Sequence, residues 1–144
     1  MIEVIPLATN NIFVNLPVKD LNRTMEFFTK VGFEFNPQFT NEQAACLVIS
    51  ENIYAMLLTE DFFQSFIQST KKEIADATKQ SEVIVALSAE SREEVNVLVN
   101  RALEAGAAHY NEPVDHGFMY SWSFQDPDGH LWEIVYMDQN HIQQ

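Results

Sequence analysis

Hydrophobic and polar positions along the chain repeat one order of elements twice. Residues 12–18 have the apolar character of a strand, and the apolar residues after them recur at helical spacing as far as Gly32. Residues 83–89 and the segment after them, which ends at Gly106, show the same order. The repeat therefore predicts two modules that each begin with a strand and a helix.

Three strand-like runs follow each predicted helix. They are residues 33–39, 44–49 and 53–59 in the first module, and residues 107–112, 119–124 and 131–137 in the second. The last two runs are separated by Asp126-Pro127-Asp128-Gly129, in which proline and glycine favour a tight turn. The plan is βαβββ repeated twice, which predicts an α+β domain.

The length of 144 residues predicts one domain over residues 1–144. Module one covers about residues 10–60, a connector covers 61–81, and module two covers about 82–138. The connector begins with an aromatic cluster at helical spacing, which comprises Phe62, Phe63, Phe66 and Ile67. It predicts a short helix packed on the domain; the alternatives are a lid over a pocket or part of a dimer interface.

The charge balance excludes several classes of partner. Acidic residues outnumber basic ones 21 to 8, and the net charge is −13. Nonspecific binding to nucleic acid or to an anionic membrane needs a cationic surface, so neither partner is expected. The single cysteine, Cys46, has apolar neighbours and indicates a reducing compartment. No apolar run reaches about 18 residues and no export signal is visible, so a cytoplasmic location is expected.

Glu133 is the first candidate for a functional residue. It shares one face of the last predicted strand with Leu131 and Val135, while the other face is also apolar. A carboxylate among hydrophobic side chains is costly unless it binds a cation, accepts hydrogen bonds or stays protonated. The alternative is that the end of the strand is frayed and the carboxylate reaches solvent.

The remaining candidates carry weaker signals. Asn15 lies on a strand face with Phe13, where its amide orients a ligand or satisfies the neighbouring backbone. Tyr120 and Trp122 lie on an aromatic strand face, for which core packing is the first interpretation and a ligand platform the second. His116 and His130 lie in loops without the spacing of a two-ligand metal motif, which favours a surface or structural role.

Two motifs resemble one known family. Residues 14–21 with 24–33, and the run from Asp126 to Glu133, resemble the opening and closing signatures of the vicinal oxygen chelate superfamily. This superfamily includes glyoxalase I, extradiol dioxygenases, and the bleomycin- and fosfomycin-resistance proteins. The resemblance covers residues 10–137 and implies paired βαβββ modules that form a cupped, incomplete barrel, commonly as a homodimer. Residues 116–120 are similar to a bacterial subgroup of predicted lactoylglutathione lyases.

The resemblance also implies where a metal would be held. The ligand positions of the enzymatic branches fall at Phe13, Leu57, Ile84 and Glu133, of which only Glu133 has a ligating side chain. One carboxylate does not hold a catalytic divalent ion, so Glu133 is at most the remnant of a metal site and no cofactor is expected. The positions expected to contact a bound molecule are Phe13, Asn15, Leu57, Ile84 and Trp122.

Three functional hypotheses follow. The first is a homodimeric protein that binds a small organic molecule in the cup without the conventional metal, as in the bleomycin-resistance branch. The alternative is a metal-dependent lyase or dioxygenase in which Glu133 serves as ligand or base and Tyr120 or His116 assists. In the third, the cup is filled and the aromatic cluster binds a partner.

Overall fold

The computed structural model describes residues 4–142 as twelve helices and strands and two short 3₁₀ turns. The elements of the first module are β1 (Ile12–Val18), α1 (Leu21–Val31), β2 (Glu34–Asn36), β3 (Ala44–Ser50) and β4 (Ile53–Thr59), followed by α2 (Glu60–Ile67). Those of the second are β5 (Ile84–Ala89), α3 (Arg92–Glu104), β6 (Val114–Asp115), β7 (Met119–Gln125) and β8 (Leu131–Met137), followed by α4 (Gln139–Ile142). The 3₁₀ turns are Pro37–Phe39 and Gln68–Thr70.

The two modules have the same strand topology. The first sheet has the order β1-β4-β3-β2 and the second the order β5-β8-β7-β6. In each sheet the first strand runs parallel to the last, and the remaining pairs are antiparallel. The predicted α+β fold of two βαβββ modules is confirmed. No strand ladder joins the two sheets within residues 4–142, so this part of the chain forms no closed barrel.

The helix ends follow from local sequence. Asp20 caps α1, since its side chain accepts a hydrogen bond from the Arg23 amide at 3.1 Å. Gly32 ends α1 with a φ of +121°, which favours glycine. Ser91 caps α3 by accepting from the Glu94 amide, and the Glu94 side chain accepts from the amide of Glu90, one residue before the cap.

One hydrophobic core lies between the helices and the sheets. Its members come from both modules and include Leu16, Val18, Phe27, Phe28, Val31, Leu57, Val95, Val99, Phe124, Trp132 and Ile134. The ring centroids of Phe28 and Trp132 are 5.2 Å apart, and those of Phe27 and Phe124 are 6.0 Å apart. Because these pairs join α1 to strands β7 and β8, neither module has a core of its own.

Two predicted strands differ from the structure. Of the strand predicted over residues 33–39, the structure forms only β2, because Pro37 begins a 3₁₀ turn. Asn36 caps this turn, since its side chain accepts from the Gln38 amide. The run 107–112 contains only one bridge, between Ala108 and Gln125. Pro113, which follows this run, has no amide hydrogen for a strand ladder. The pairing in this region is therefore made by β6, which begins immediately after that proline.

The turn before β8 connects the two modules through Asp128. This carboxylate is buried and accepts hydrogen bonds from the Lys19 amide at 2.9 Å and from the Thr24 hydroxyl at 3.1 Å. It also forms an ion pair with Arg23 at 3.2 Å. All three partners lie at the start of α1. The closing motif of the second module is thus bonded directly to the first helix of the first module.

Asp126 holds the same turn from within. Its carboxylate accepts hydrogen bonds from the amides of Asp128 and His130 and from the indole of Trp132, at 2.9, 3.0 and 3.0 Å. Burial raises the pKa of Asp126, and the nearby His130 and the hydrogen bond from Trp132 offset part of that increase. The turn and the first residues of β8 therefore form one hydrogen-bonded unit.

Replacing Asp128 by alanine is expected to lower the free energy of unfolding by about 1–3 kcal/mol, because the Lys19 amide loses its acceptor and Arg23 loses its ion-pair partner. Urea denaturation measures this change. Asp61→Ala, at an exposed position in α2, is the control and should change the free energy of unfolding by less than about 1 kcal/mol. Equal effects of the two substitutions would contradict the role assigned to Asp128.

Candidate functional site

Glu133 lies on the face of the second sheet that points away from the core. The strand register places it between Ala86 of β5 and Ser123 of β7. Its neighbours along β8, Trp132 and Ile134, point the other way and are fully buried among the core residues. The alternation of β8 therefore directs one carboxylate onto the sheet face opposite the helices.

The surroundings of Glu133 leave its carboxylate available. The side chain is half-buried, as are those of Leu131 and Val135 on the same face, while Ser123 is 4 % exposed. No hydrogen bond or ion pair joins the Glu133 carboxylate to another of the residues 4–142. An ionised carboxylate accepts several hydrogen bonds, so this group is poised to receive a cation or an N–H donor.

Ile84 lies on the same face as Glu133. It pairs in register with Leu131, two residues before the carboxylate, and its side chain is 55 % exposed. Strand β5 is an edge strand, because β8 is its only partner in the second sheet. The face around Glu133 is consequently bordered by an exposed apolar edge.

Phe13 lies on the outward face of the first sheet, as Ile84 does in the second, whereas Leu57 lies on the core side. The ring of Phe13 is 51 % exposed and stacks on Tyr54 of β4, with 4.8 Å between the ring centroids. Leu57 is fully buried in the core on the helix side. The expectation that Leu57 lines the cup is therefore wrong, because its neighbour Met56 takes the outward position on β4.

Tyr120 and Trp122 point to the helix side of the second sheet, away from Glu133. The Tyr120 hydroxyl donates to the side chain of Asn96 on α3 at 2.6 Å, and the Trp122 indole donates to the Asn111 carbonyl at 2.9 Å. In the ladder between β7 and β8 it is Ser123 that pairs with Glu133. The structure thus places these two aromatic residues in core packing rather than beside the candidate carboxylate.

His116 lies in the exposed hairpin between β6 and β7. Arg92 holds this hairpin to α3, since it donates to the Gly117 carbonyl at 2.6 Å and pairs with Asp115 at 3.3 Å. The amide of His116 donates to the Met119 carbonyl at 2.8 Å, and no hydrogen bond or ion pair joins the side chains of His116 and Glu133. The structure therefore does not bring His116 and Glu133 together.

Asn15 belongs to a second region, at the end of β1. Its amide donates to the Phe13 carbonyl at 3.2 Å, and the residue lines a cavity of about 460 Å³ beneath the segment that follows α2. His130 lines the same cavity, with its Nε2 2.7 Å from the Pro17 carbonyl oxygen. The sequence offered no spacing that marks His130; the signal that could have found it is its place directly after the Asp128-Gly129 turn.

The residues on these faces do not fit a conventional divalent-metal site. Within residues 4–142, no group of three His, Cys, Asp or Glu side chains lies close enough to hold an ion. The outward positions at which the family resemblance implies metal ligands carry Phe13 and Ile84, whose side chains do not coordinate. A catalytic ion needs at least two or three ligating side chains, and Glu133 supplies one.

The described chain has no helix long and apolar enough to cross a membrane. Its fold defines a class of protein: paired βαβββ modules with α1 and α3 packed in the core on one side of the sheets and the half-buried Glu133 carboxylate on the other. Residues 12–134 match the model of the Glyoxalase/Bleomycin resistance protein/Dioxygenase superfamily, and the chain belongs to this family.

Solved structures show the same fold. A hypothetical protein from S. aureus is 28% identical and has a TM-score of 0.73, with 88% of this chain and 92% of that chain covered. A family enzyme from Burkholderia phytofirmans is 17% identical, with a TM-score of 0.73 and coverage of 87% and 96%. The fosfomycin resistance protein FosX from Listeria monocytogenes is 22% identical, with a TM-score of 0.61 and coverage of 94% and 92%. No curated protein matches the sequence.

Tyr120→Phe is expected to lower the free energy of unfolding by about 1 kcal/mol, because the Asn96 side chain loses its hydrogen-bond donor. Urea denaturation measures this loss. Tyr110→Phe is the matched control, since the Tyr110 hydroxyl makes no hydrogen bond within residues 4–142. A Tyr120→Phe variant as stable as Tyr110→Phe would contradict the structural role of Tyr120.

Proposed function

We propose that this protein binds a small organic molecule on the sheet face around Glu133, without the conventional divalent metal of the family. The observation that carries the proposal is the half-buried Glu133 carboxylate with no partner among residues 4–142. A partly desolvated anion among apolar side chains favours a ligand with a cationic group beside an apolar body.

The electrostatics of the whole chain support a cationic ligand. The net charge of −13 produces a negative potential that raises the local concentration of cations and disfavours anions. The apolar neighbours Leu131 and Val135 supply surface for the uncharged part of the molecule. Together they support recognition by one charge contact and by burial of apolar area.

The family relationship supports the same mode of binding. The superfamily includes bleomycin-resistance proteins, and the Listeria relative is described as a fosfomycin resistance protein. For the present chain, the proposed role is binding of a small molecule. The metal-dependent lyase or dioxygenase lacks the ligand set that this chemistry needs, because Glu133 is the one ligating side chain at the four family positions.

The proposal includes a homodimer. Phe13 on β1 and Ile84 on β5 are apolar, more than half exposed and located on edge strands. Met137, on the same face as Glu133, is also exposed. Exposed apolar side chains on open strand edges favour association, and a second copy over this face would turn it into an enclosed cavity.

A matched pair of probes tests the charge contact at Glu133. Calorimetric titration is expected to show that 2-phenylethylamine binds at least about tenfold more tightly than 2-phenylethanol, a difference of about 1.4 kcal/mol. Glu133→Gln should remove this preference and leave the melting temperature within a few degrees, because the Glu133 side chain makes no hydrogen bond or ion pair within residues 4–142.

The control for this experiment is Glu104→Gln, which changes the net charge equally at an exposed position on α3. It should retain the preference for the amine. Equal loss in both variants would contradict the proposed contact and indicate a general charge effect. Binding of one Ni²⁺ or Zn²⁺ per chain that Glu133→Gln abolishes would contradict the metal-independent proposal and favour the metal-dependent alternative.

Sedimentation velocity tests the homodimer. At tens of micromolar protein the wild type is expected to sediment with twice the mass of one chain. Phe13→Asp should shift it to the monomer, because a charge would be buried in the apolar contact. Phe39→Asp, at an exposed position on a 3₁₀ turn, is the control and should remain dimeric. A monomeric wild type, or two variants that behave alike, would refute this interface.

A further inference from the structure

Residues 71–83 form a strap between the 3₁₀ turn Gln68–Thr70 and strand β5. The strap contains no helix or strand, and all of its residues except Ile74 and Ala77 are exposed. A lid over a pocket is one of the roles that the sequence permits for this part of the connector. Whether the strap can act as a lid depends on what it covers and on what holds it.

The strap covers one end of the cup. A cavity of about 460 Å³ lies beneath it, lined by Ile74 and Val83 of the strap, by Asn15 of β1 and by Phe63 of α2. Asn15 is on the outward face of β1 and the strap leads directly into β5, so this cavity lies on the same side of the sheets as Glu133. The strap is therefore one wall of the cup.

Few bonds hold the strap in place. The Lys72 carbonyl accepts a hydrogen bond from the side chain of Gln64 on α2 at 3.2 Å. Farther along, Asp76 accepts from the Thr78 amide at 3.0 Å and from the Thr78 hydroxyl at 2.6 Å, which forms a turn within the strap itself. In the part of the chain that the structure describes, no hydrogen bond or ion pair joins residues 73–82 to either sheet. Exposed segments with so few external bonds open at a low cost in free energy, so the strap can leave the cup while the sheets stay folded.

The strap rests on the turn before β8 at Gly129. This residue has a φ of +92°, and a Cβ atom there would lie 2.7 Å from the Ala77 carbonyl oxygen, so only glycine permits the contact. An electrostatic attraction adds to it. The hydrogen bonds from Thr78 lower the pKa of Asp76, and the positive charge of Lys19, just after β1, lowers it further. Gly129 is therefore the seat of the closed strap, and the attraction to Lys19 keeps the strap near it.

The strap also brings apolar surface and negative charge to the cup. Its lining residues include the apolar Ile74 and Val83 and the carboxylates of Glu73 and Glu82, against one cationic residue, Lys72. A cation with an apolar body attracts the carboxylates and covers the apolar side chains when the strap is closed. Such a ligand binds the closed form more tightly than the open form, and this difference shifts the equilibrium towards closure.

We propose that the strap is a gate: it opens from its seat on Gly129 in the free protein, and a cationic ligand in the cup holds it closed. Closure on a ligand rests on the function proposed for the Glu133 face. The opening does not, because it follows from the attachments of the strap alone. Each part therefore has its own measurement.

Cleavage of the native protein by a lysine-specific protease measures the opening without a ligand. Lys71, Lys72 and Lys79 lie in the strap, and Lys30 in α1 reports unfolding of the whole domain. Because the rate of cleavage follows the population of the open form, the wild type should be cut in the strap well before Lys30. Simultaneous cleavage at Lys30 and in the strap would overturn the inference.

Two glycine variants test the seat. Gly129→Ala inserts a Cβ atom against Ala77 and should speed cleavage in the strap, relative to cleavage at Lys30, at least about threefold. Gly117→Ala is the matched control, since Gly117 has a φ of +85° and an added Cβ there meets no neighbouring atom within 4 Å. It should keep the wild-type ratio. Equal ratios in both variants would contradict the seat at Gly129.

A second pair of variants keeps the test decisive if Gly129→Ala does not fold. Asp76→Ala, at an exposed position, removes the turn around Ala77 and the attraction to Lys19, so it should also speed cleavage in the strap. Asp61→Ala changes the charge equally outside the strap and should leave the ratio unchanged. Identical cleavage of the two aspartate variants would refute the closed position assigned to the strap.

2-Phenylethylamine tests closure on a ligand. At about ten times its dissociation constant, the amine should slow strap cleavage of the wild type at least about fivefold, because binding to the closed form alone would slow it about tenfold. Glu133→Gln at the same amine concentration should be slowed by no more than about twofold, which also controls for any effect on the protease.

The outcomes separate the gate from the function proposed for Glu133. An amine that binds the wild type in calorimetry without slowing cleavage would refute closure and leave the Glu133 proposal intact. No binding of the amine would contradict the Glu133 proposal and the closure that rests on it, while the ligand-free variants still decide the opening.

Discussion

The buried carboxylate of Asp128 holds the two modules in their relative position. Because it bonds to the Lys19 amide and to Thr24, the turn before β8 lies against the start of α1. His130, two residues later, then reaches the Pro17 carbonyl at the end of β1. Because Gly129 has no Cβ atom, the backbone around Ala77 can pack closely against the same turn. These contacts place the turn beside the cavity at the end of β1, so the most polar part of the intermodule interface also shapes that cavity.

Alternate residues of strand β8 point to opposite faces of the sheet, one in the core and the other at the candidate site. Trp132 and Ile134 fill the shared core, and the Trp132 indole donates to Asp126 in the preceding turn. Glu133, between them, is directed to the opposite face by the same backbone. A substitution at Glu133 therefore leaves the core side chains in place, so the proposed role of Glu133 in ligand binding can be tested separately from the stability of the fold.

Much of the fold could be predicted from the sequence, because periodicity and capping are local. The ends of β4 and β8 and the cap of α1 follow from alternation, from apolar spacing and from Asp20. The positions on the site could not all be predicted, since they depend on register between strands. Because Ser123 pairs with Glu133, Tyr120 and Trp122 on β7 point to the helix side of the sheet. On β4 the outward residue is Met56, one position before the expected Leu57.

Under the proposed metal-independent binding, the charge balance around Glu133 would differ from that of a metal site with the same fold. In a metal site, two or three ligands compensate the ion, and the ion in turn neutralises their charge. Phe13 and Ile84 stand where the family resemblance implies metal ligands, so under the proposed metal-independent binding no ion would balance the Glu133 charge. Since a second copy over this face would exclude water, the cost of the carboxylate would rise on dimerisation. A cationic ligand offsets that cost, so ligand binding and dimerisation are expected to reinforce each other.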